Sequence, residues 1–276
     1  MPGDGPTKAD RTAWDAARSA RIGAPQPLPR RHANATFACH RNVMQPTAYP
    51  PETLRRIAIY DLDRTITRAP TWTPFLLHAV LRHALWRLAL LPVVLGAAAL
   101  KGAGLIHRDR LKQVMHRAAL GTLSPARAER LAAGWLVRFG PAQIRRKARA
   151  QIAADRAAGY RIVVATAAYR FYAEAIARDI AADALIATAT AIDARGHLLP
   201  RIAGGNCYGP AKRAMIEAWL AAEGIDRAAA YVRVYSDHVS DVPSFDWADE
   251  AIAVNPHAAL RRVAAKRGWR IVDWND

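Results

Sequence analysis

Acidic side chains are almost missing from one third of this chain. Across residues 66–150 only Asp109 and Glu129 stand against fifteen lysines and arginines, and the 276 residues together carry a formal net charge of +17. An acid-poor block of this kind points to an anionic partner: a phosphorylated substrate, an anionic membrane surface or nucleic acid. The interleaved aromatic and basic residues that suit single-strand binding are not found, so nucleic acid is the least expected of the three. Cysteine is scarce as well. Cys39 and Cys207 form no C-x-x-C pair, which argues against a disulfide framework or a zinc site and suits a reducing cytosol. No apolar stretch follows the N-terminus, so a secretory signal is not expected. Long apolar runs are also lacking. The longest uncharged run, residues 88–100, has thirteen residues and contains Pro92 and Gly96, short of the roughly 20 that cross a bilayer.

What is present is a large apolar fraction, 52%, enough for a sizeable core. Residues 1–52 are rich in Pro, Gly, Ala and Arg without a lasting period. They read as a disordered extension with a short helix near 11–21, and Met44 is an alternative start within it. Residues 57–60 (Ile-Ala-Ile-Tyr) read as a buried parallel strand. A helical region follows. Its first part, 75–106, is apolar but interrupted by Arg82, Arg87 and Lys101 and bordered by Trp72 and Trp86. It reads as a core helix pair or as an interfacial segment at a membrane. A helix is expected over 108–120. Ser124-Pro125 opens another, and Pro141 opens a third that Gly159 ends.

From Tyr160 strands and helices alternate. Strands are expected at 161–166, 185–190, 231–235, 251–254 and 269–272. Helices are expected at 169–182, 210–223 and 256–266, with a hairpin turning at Arg195-Gly196. This is an α/β pattern: a Rossmann-like parallel sheet with helices on both faces. Its core would be 53–66 and 159–276, interrupted by an all-helical insertion, 67–158.

Candidate chemistry sits at strand ends, where open α/β sheets place it. Asp61 and Asp63 leave the first strand two residues apart, so an extended chain sends both carboxylates to one side. Two acids so placed repel unless a cation lies between them or one keeps its proton. Thr166 with Ala167 ends the second strand before a helix, a place where hydroxyl and N–H groups can cradle an anion. Lys212 falls in the first turn of a helix, against the helix dipole, which suggests a nearby anion. Asp237 ends a later strand and Asp241 follows one helical turn on. Paired carboxylates there suit Mg²⁺.

Asp61-Leu62-Asp63-Arg64-Thr65, then Thr166, then Lys212, then Ser236-Asp237 with Asp241, resembles the four ordered motifs of the haloacid dehalogenase (HAD) superfamily. The insertion directly after the first motif resembles the C1-capped, phosphoserine-phosphatase-like branch, subfamily IB. The resemblance implies a phosphomonoesterase with Asp61 as nucleophile and Asp63 as acid and base. It implies Mg²⁺ on Asp61, the Asp63 main chain, Asp237 and Asp241, with phosphoryl oxygens held by Thr166, Ala167 and Lys212. Arg64 stands where the family often has Gly or Ser, and Ser236 where Gly is common. No acid lies between Asp63 and Asp109 to receive a substrate ammonium. The early cap is instead apolar and cationic, and in its apolar character it is similar to that of the bacterial phosphatidylglycerophosphate phosphatases. The implied partner is a phosphorylated small molecule or lipid. The expected location is the cytoplasm, with peripheral contact at the inner face of the membrane.

Overall fold

The computed structural model describes residues 54–275. The expected N-terminal extension, its short helix and Met44 lie outside the described residues. The first strand, β1 (Arg55–Tyr60), sits in the middle of a seven-stranded sheet ordered β4-β3-β2-β1-β5-β6-β7. Its partners are β2 (Arg161–Tyr169), β3 (Ala184–Ile192), β4 (Leu198–Ala203), β5 (Ala230–Ser236), β6 (Glu250–Val254) and β7 (Arg270–Val272). All pair in parallel except β4, which returns antiparallel on β3. The hairpin turn joining β3 and β4 is held by Asp193, whose Oδ1 accepts from the N–H groups of Arg195 and His197 at 2.9 and 2.8 Å. Gly196 takes the positive φ of +76° that this turn needs.

The unbroken apolar run of β1 is explained by its place. Ala58 and Tyr60 face one buried layer, and Ile57 and Ile59 the other. A strand covered on both faces has no side left for polar residues. Five helices intervene between β1 and β2: α1 (Trp72–His83), α2 (Leu91–Gly102), α3 (Arg108–Ala119), α4 (Pro125–Gln143) and α5 (Arg146–Ala157). A short 3₁₀ segment, Leu85–Leu90, leads into α2. The remaining helices are α6 (Arg170–Asp179), α7 (Pro210–Ala222), the single turn α8 (Val242–Phe245) and α9 (Ala258–Arg267).

Two expected boundaries move. Pro141 does not open a helix; it lies inside α4. Without an N–H, Pro141 forfeits one rung of the ladder, the bond to Val137 O, in the last turn. The chain leaves the helix only at Ile144, where it pairs antiparallel with Thr67. That pairing draws together the two passages between the sheet and the inserted helices. Arg68 N–H donates to Gln143 O at 2.8 Å and Arg145 N–H to Ile66 O at 2.9 Å. Likewise β2 does not stop at Thr166. It runs to Tyr169 with Ala167 and Ala168 bulged out of the β2–β3 ladder. The next helix begins at Arg170.

Beyond those paired passages α5 returns to the sheet and carries a buried carboxylate. Asp155 accepts hydrogen bonds from Tyr60 (2.6 Å), Tyr235 (2.8 Å) and Gln151 (3.0 Å) and pairs with Arg233 at 2.6 Å. The Tyr60 and Tyr235 rings stack 4.3 Å apart. Both tyrosines are the last side chains on this face before the strand ends that carry Asp61 and Asp237. Asp155→Ala would leave two buried hydroxyls unpaired and Arg233 short of one partner. It should lower unfolding stability by about 3–5 kcal/mol, read from urea denaturation.

Candidate active site

The chain runs from β1 outward to β2, β3 and β4, then crosses back to β5 on the other side of β1. The switch leaves a crevice at the C-terminal ends of β1 and β5. Register places Tyr60 opposite Tyr235, and Asp61 N–H continues the ladder by donating to Tyr235 O at 2.9 Å. Asp61 and Ser236-Asp237 therefore leave the sheet side by side.

Lys212 reaches this crevice from the first turn of α7. Its ammonium donates to Asp61 Oδ1 at 2.8 Å and to Asp241 Oδ2 at 2.7 Å. Asp241 Oδ2 also accepts from the Ser236 hydroxyl at 2.5 Å. The Asp237 carboxylate lies 3.3 Å from His257 Nε2, and that nitrogen is 2.9 Å from the Arg64 guanidinium. Thus Asp61, Lys212, Asp237 and Asp241 come together, as the resemblance implies, around one buried cation.

Burial and mutual repulsion set the electrostatics. Burial first, then the neighbouring Asp241 and Asp237, push Asp61 up to about 8 despite Lys212. Burial and Asp241 push Asp237 up to about 7. Burial on its own would depress Lys212, but the Asp241 and Asp61 carboxylates more than reverse this and raise it. The lysine stays charged, and one positive charge faces three carboxylates. Asp241 Oδ1 is buried and finds no hydrogen-bond partner among the described residues.

Asp63 is held separately. Its Oδ1 accepts from the Thr71 N–H at 2.8 Å and the Thr71 hydroxyl at 2.7 Å, at the start of α1. Burial raises its pKa while the Thr71 hydrogen bonds restrain the rise. Directly after Asp63 the chain turns, with Arg64 in the left-handed region at φ +63°. Thr166 Oγ1 accepts from the Ala168 N–H at 3.0 Å. The expected helix N-terminus beside Thr166 is not there. The bulge at Ala167-Ala168 takes its place and turns main-chain groups out of the ladder.

Two adjoining cavities share Asp63, Arg108, Ala167 and Tyr208. One, of about 210 Å³, holds Asp61, Thr166, Lys212, Asp237 and Asp241. The other, of about 430 Å³, is lined by Lys101, Arg108 and Lys112 with Trp72, Leu111, Met115 and Tyr172. Arg108 stacks on the Tyr208 ring at 3.5 Å. Lys112 donates to Ala167 O and, at 3.1 Å, to Asn206 Oδ1. Burial brings Lys112 down to about 7. A groove of similar size between α4 and α6, about 450 Å³, is lined by Glu129 and Glu174, both paired with Arg178, and by none of the converging aspartates. Thr71, Arg108, Lys112, Asn206 and Tyr208 were not legible as site residues. Arg108 and Lys112 carry an i, i+4 spacing that put them on one helix face, but nothing in it points to the crevice.

With the fold and crevice in view, residues 58–246 match the haloacid dehalogenase-like hydrolase family, and the chain belongs to that family. Among curated proteins it is 34% identical over 118 residues to an inhibition of morphological differentiation protein of Streptomyces azureus, a match covering 43% of this chain and 42% of that one. It is 32% identical over 124 residues to a probable phosphatase of Mycobacterium tuberculosis, covering 45% and 42%. It is 31% identical over 118 residues to a phosphoserine phosphatase of the same species, covering 42% and 37%. The chain thus spans less than half the length of these relatives. Among solved structures, a protein of unknown function from Bordetella pertussis superposes with a TM-score of 0.71 at 24% identity, over 81% of this chain and all of that one. A phospho-aspartyl intermediate analogue of phosphoserine phosphatase gives a TM-score of 0.53 at 16% identity, over 80% and 94%.

The raised carboxylates have a stability consequence. Asp61 and Asp237 hold protons more tightly folded than unfolded. Their stabilising contribution is fully present below their unfolded value of 3.8 and is lost as pH rises through about 7 and about 8. Asp237→Asn should therefore raise the melting temperature of protein in EDTA at pH 8 by about 3–8 °C, and by much less at pH 5, in paired thermal melts.

Proposed function

We propose that the chain is a Mg²⁺-dependent phosphomonoesterase of the C1-capped branch that works through an aspartyl-phosphate. The observation that carries this reading is the Lys212 ammonium within 2.8 Å of Asp61 and 2.7 Å of Asp241, at the sheet's switch point and in one cavity with Asp63. Asp61 attacks phosphorus, and the bond to the leaving alkoxy oxygen breaks. Asp63 gives that oxygen its proton, a role its raised pKa suits. Asp63, now ionised, takes a proton from a water that attacks the phosphoryl group. The Asp61–phosphate bond breaks, and phosphate and free carboxylate result. Lys212, Thr166 and the Ala167 N–H hold the phosphoryl oxygens as charge redistributes.

The donor set fits a hard divalent ion. It is oxygen only, with a buried orphan oxygen on Asp241 and more negative charge than Lys212 can balance. Among the described residues no three His, Cys, Asp or Glu side chains already surround one point. The ligands would accordingly be the Asp61 and Asp237 carboxylates and the Asp63 main-chain oxygen, with Asp241 in support. Bound there, Mg²⁺ supplies charge neutralisation that lets a carboxylate approach an anionic phosphoryl group.

The larger cavity bears on substrate. Its cations and apolar walls suit a leaving group with an anionic and a greasy part, such as a lipid phosphate of the phosphatidylglycerophosphate kind. A soluble, phosphoserine-like metabolite is the second reading, favoured by the match to a protein named phosphoserine phosphatase. Against it, Asp63 is the only acid lining that cavity among the described residues, so a substrate ammonium meets no spare carboxylate.

Phosphate release should require Mg²⁺, stop in EDTA, and fall at least about 10³-fold in Asp61→Asn. Release unaffected by both would overturn the reading. A panel of phosphatidylglycerophosphate, lysophosphatidate, phosphoserine and nucleotides separates the substrate classes. In Arg108→Ala, KM should rise about tenfold for substrates with a second anionic group, with little change for p-nitrophenyl phosphate.

A further inference from the structure

The apolar segment 75–106 splits into two unlike parts. Its first part is core: α1 buries Phe75, Leu76, Ala79 and Val80. The rest is not. Over Leu85–Gly102 only 6% of the residues are buried, and Ala97 is the one buried residue of α2. Leu85, Trp86, Val93 and Leu95 are 59%, 67%, 58% and 59% exposed. Apolar residues lie on every side of α2, from Leu91 to Leu100. A helix apolar all round belongs in a core or in lipid. A second copy of the chain would cover one stripe of such a helix and leave the others in water, whereas lipid surrounds it.

We propose that the 3₁₀ segment and α2 form a membrane-docking element that inserts into one leaflet of an anionic bilayer. Leu85–Gly102 is long and apolar enough to cross a bilayer, but its attachment argues for lying in the interface. The segment leaves from α1 and returns through α3, and both are tied to the same body: α1 by its buried face and α3 by the Lys112 contact with Ala167. Arg87 pins the start of the segment to α3 by donating to Arg117 O and Ala118 O at 3.2 and 3.0 Å. The charge pattern matches anionic headgroups. Exposed Arg82, Lys101, Arg108 and Arg110 flank the apolar stretch, and no acid occurs between Asp63 and Asp109. Trp86 sits at the start of the segment, as interfacial aromatics do. Lys101 and Arg108, at the far end, also line the cavity that contains Asp63. Docking by this face sets that cavity beside the headgroups.

The proposal rests on the cap's surface and not on the hydrolytic chemistry, so the two fail separately. Flotation of the full chain uses vesicles of phosphatidylcholine alone and with about 30% phosphatidylglycerol. The wild type should float with the anionic vesicles and at least about tenfold less with the neutral ones. Val93→Asp/Leu95→Asp should stay at the bottom of the gradient while keeping its melting temperature and its turnover of p-nitrophenyl phosphate. Should that variant melt early, Trp86→Ser serves in its place, with a several-fold loss of flotation expected. Wild type that remains at the bottom with both vesicles overturns the proposal, as does a folded variant that floats like wild type. A wild-type dimer that the variant dissociates, without flotation, also overturns it and gives the face to a second copy. Flotation without phosphate release from any substrate would leave docking standing and sink the hydrolase reading.

Discussion

The site depends on one lysine that is outnumbered. Lys212 is buried between Asp61 and Asp241, with Asp237 close by. A buried ammonium is tolerated only where carboxylates repay its lost hydration. Here they overpay, because three acids share one cation. Burial first, and then the neighbouring acids, push Asp61 and Asp237 up, and an oxygen of Asp241 is left without a partner among the described residues. A fold that keeps such a surplus in a crevice holds a place for positive charge. The electrostatic strain is thus the binding potential of the site, seen from the side of stability.

That strain is carried by a rigid frame. β1 and β5 are adjacent, parallel and in register up to Tyr60 and Tyr235. On one face, Asp155 gathers both tyrosine hydroxyls and Arg233 in a nearly closed network. Past the last paired residues, the same two strands release Asp61 and Asp237 into the crevice. One buried carboxylate is fully satisfied and locks the strand ends; the next ones along are left wanting partners. The contrast between them is what separates scaffold from site within a few ångströms.

The sheet and the central cluster were legible because both rest on short-range rules. A strand buried on both faces reads as an unbroken apolar run, so β1, β2, β5 and β6 stand out with their order along the chain. Acids at strand ends follow from the same rule; that Lys212 and Asp241 belong with Asp61 and Asp237 followed from the resemblance to the ordered HAD motifs, and the four do converge. Asp155 was not legible, since a lone acid on an Arg-rich helix looks like a solvated one; its partners are 80 and 95 residues away. Thr71, Lys112 and Asn206 were missed for the same reason. The cradle at Thr166 was placed on a helix start, but a bulge extends the strand past it. Pro141 misled because proline favours the first turn of a helix, whereas here it sits in the last.

The least expected feature is how Asp63 is shared. Its carboxylate accepts the main-chain and hydroxyl hydrogens of Thr71, so the first inserted helix hangs on the same group that lines both cavities. These bonds favour the ionised form, while burial favours the protonated one. The balance ties the group's proton to the position of α1. Movement of α1 away from Thr71's present place would remove two hydrogen bonds and strengthen the hold on the proton. The residue after Asp63, Arg64, is tied to the core as well. A non-glycine residue at φ +63° costs about 1–2 kcal/mol, and its guanidinium is engaged by His257 on the core side. The chain at Asp63 is therefore held from two sides, by the core through its neighbour Arg64 and by the inserted helices through Thr71. The two acids keep their separation because neither can move without breaking a bond to a different part of the molecule.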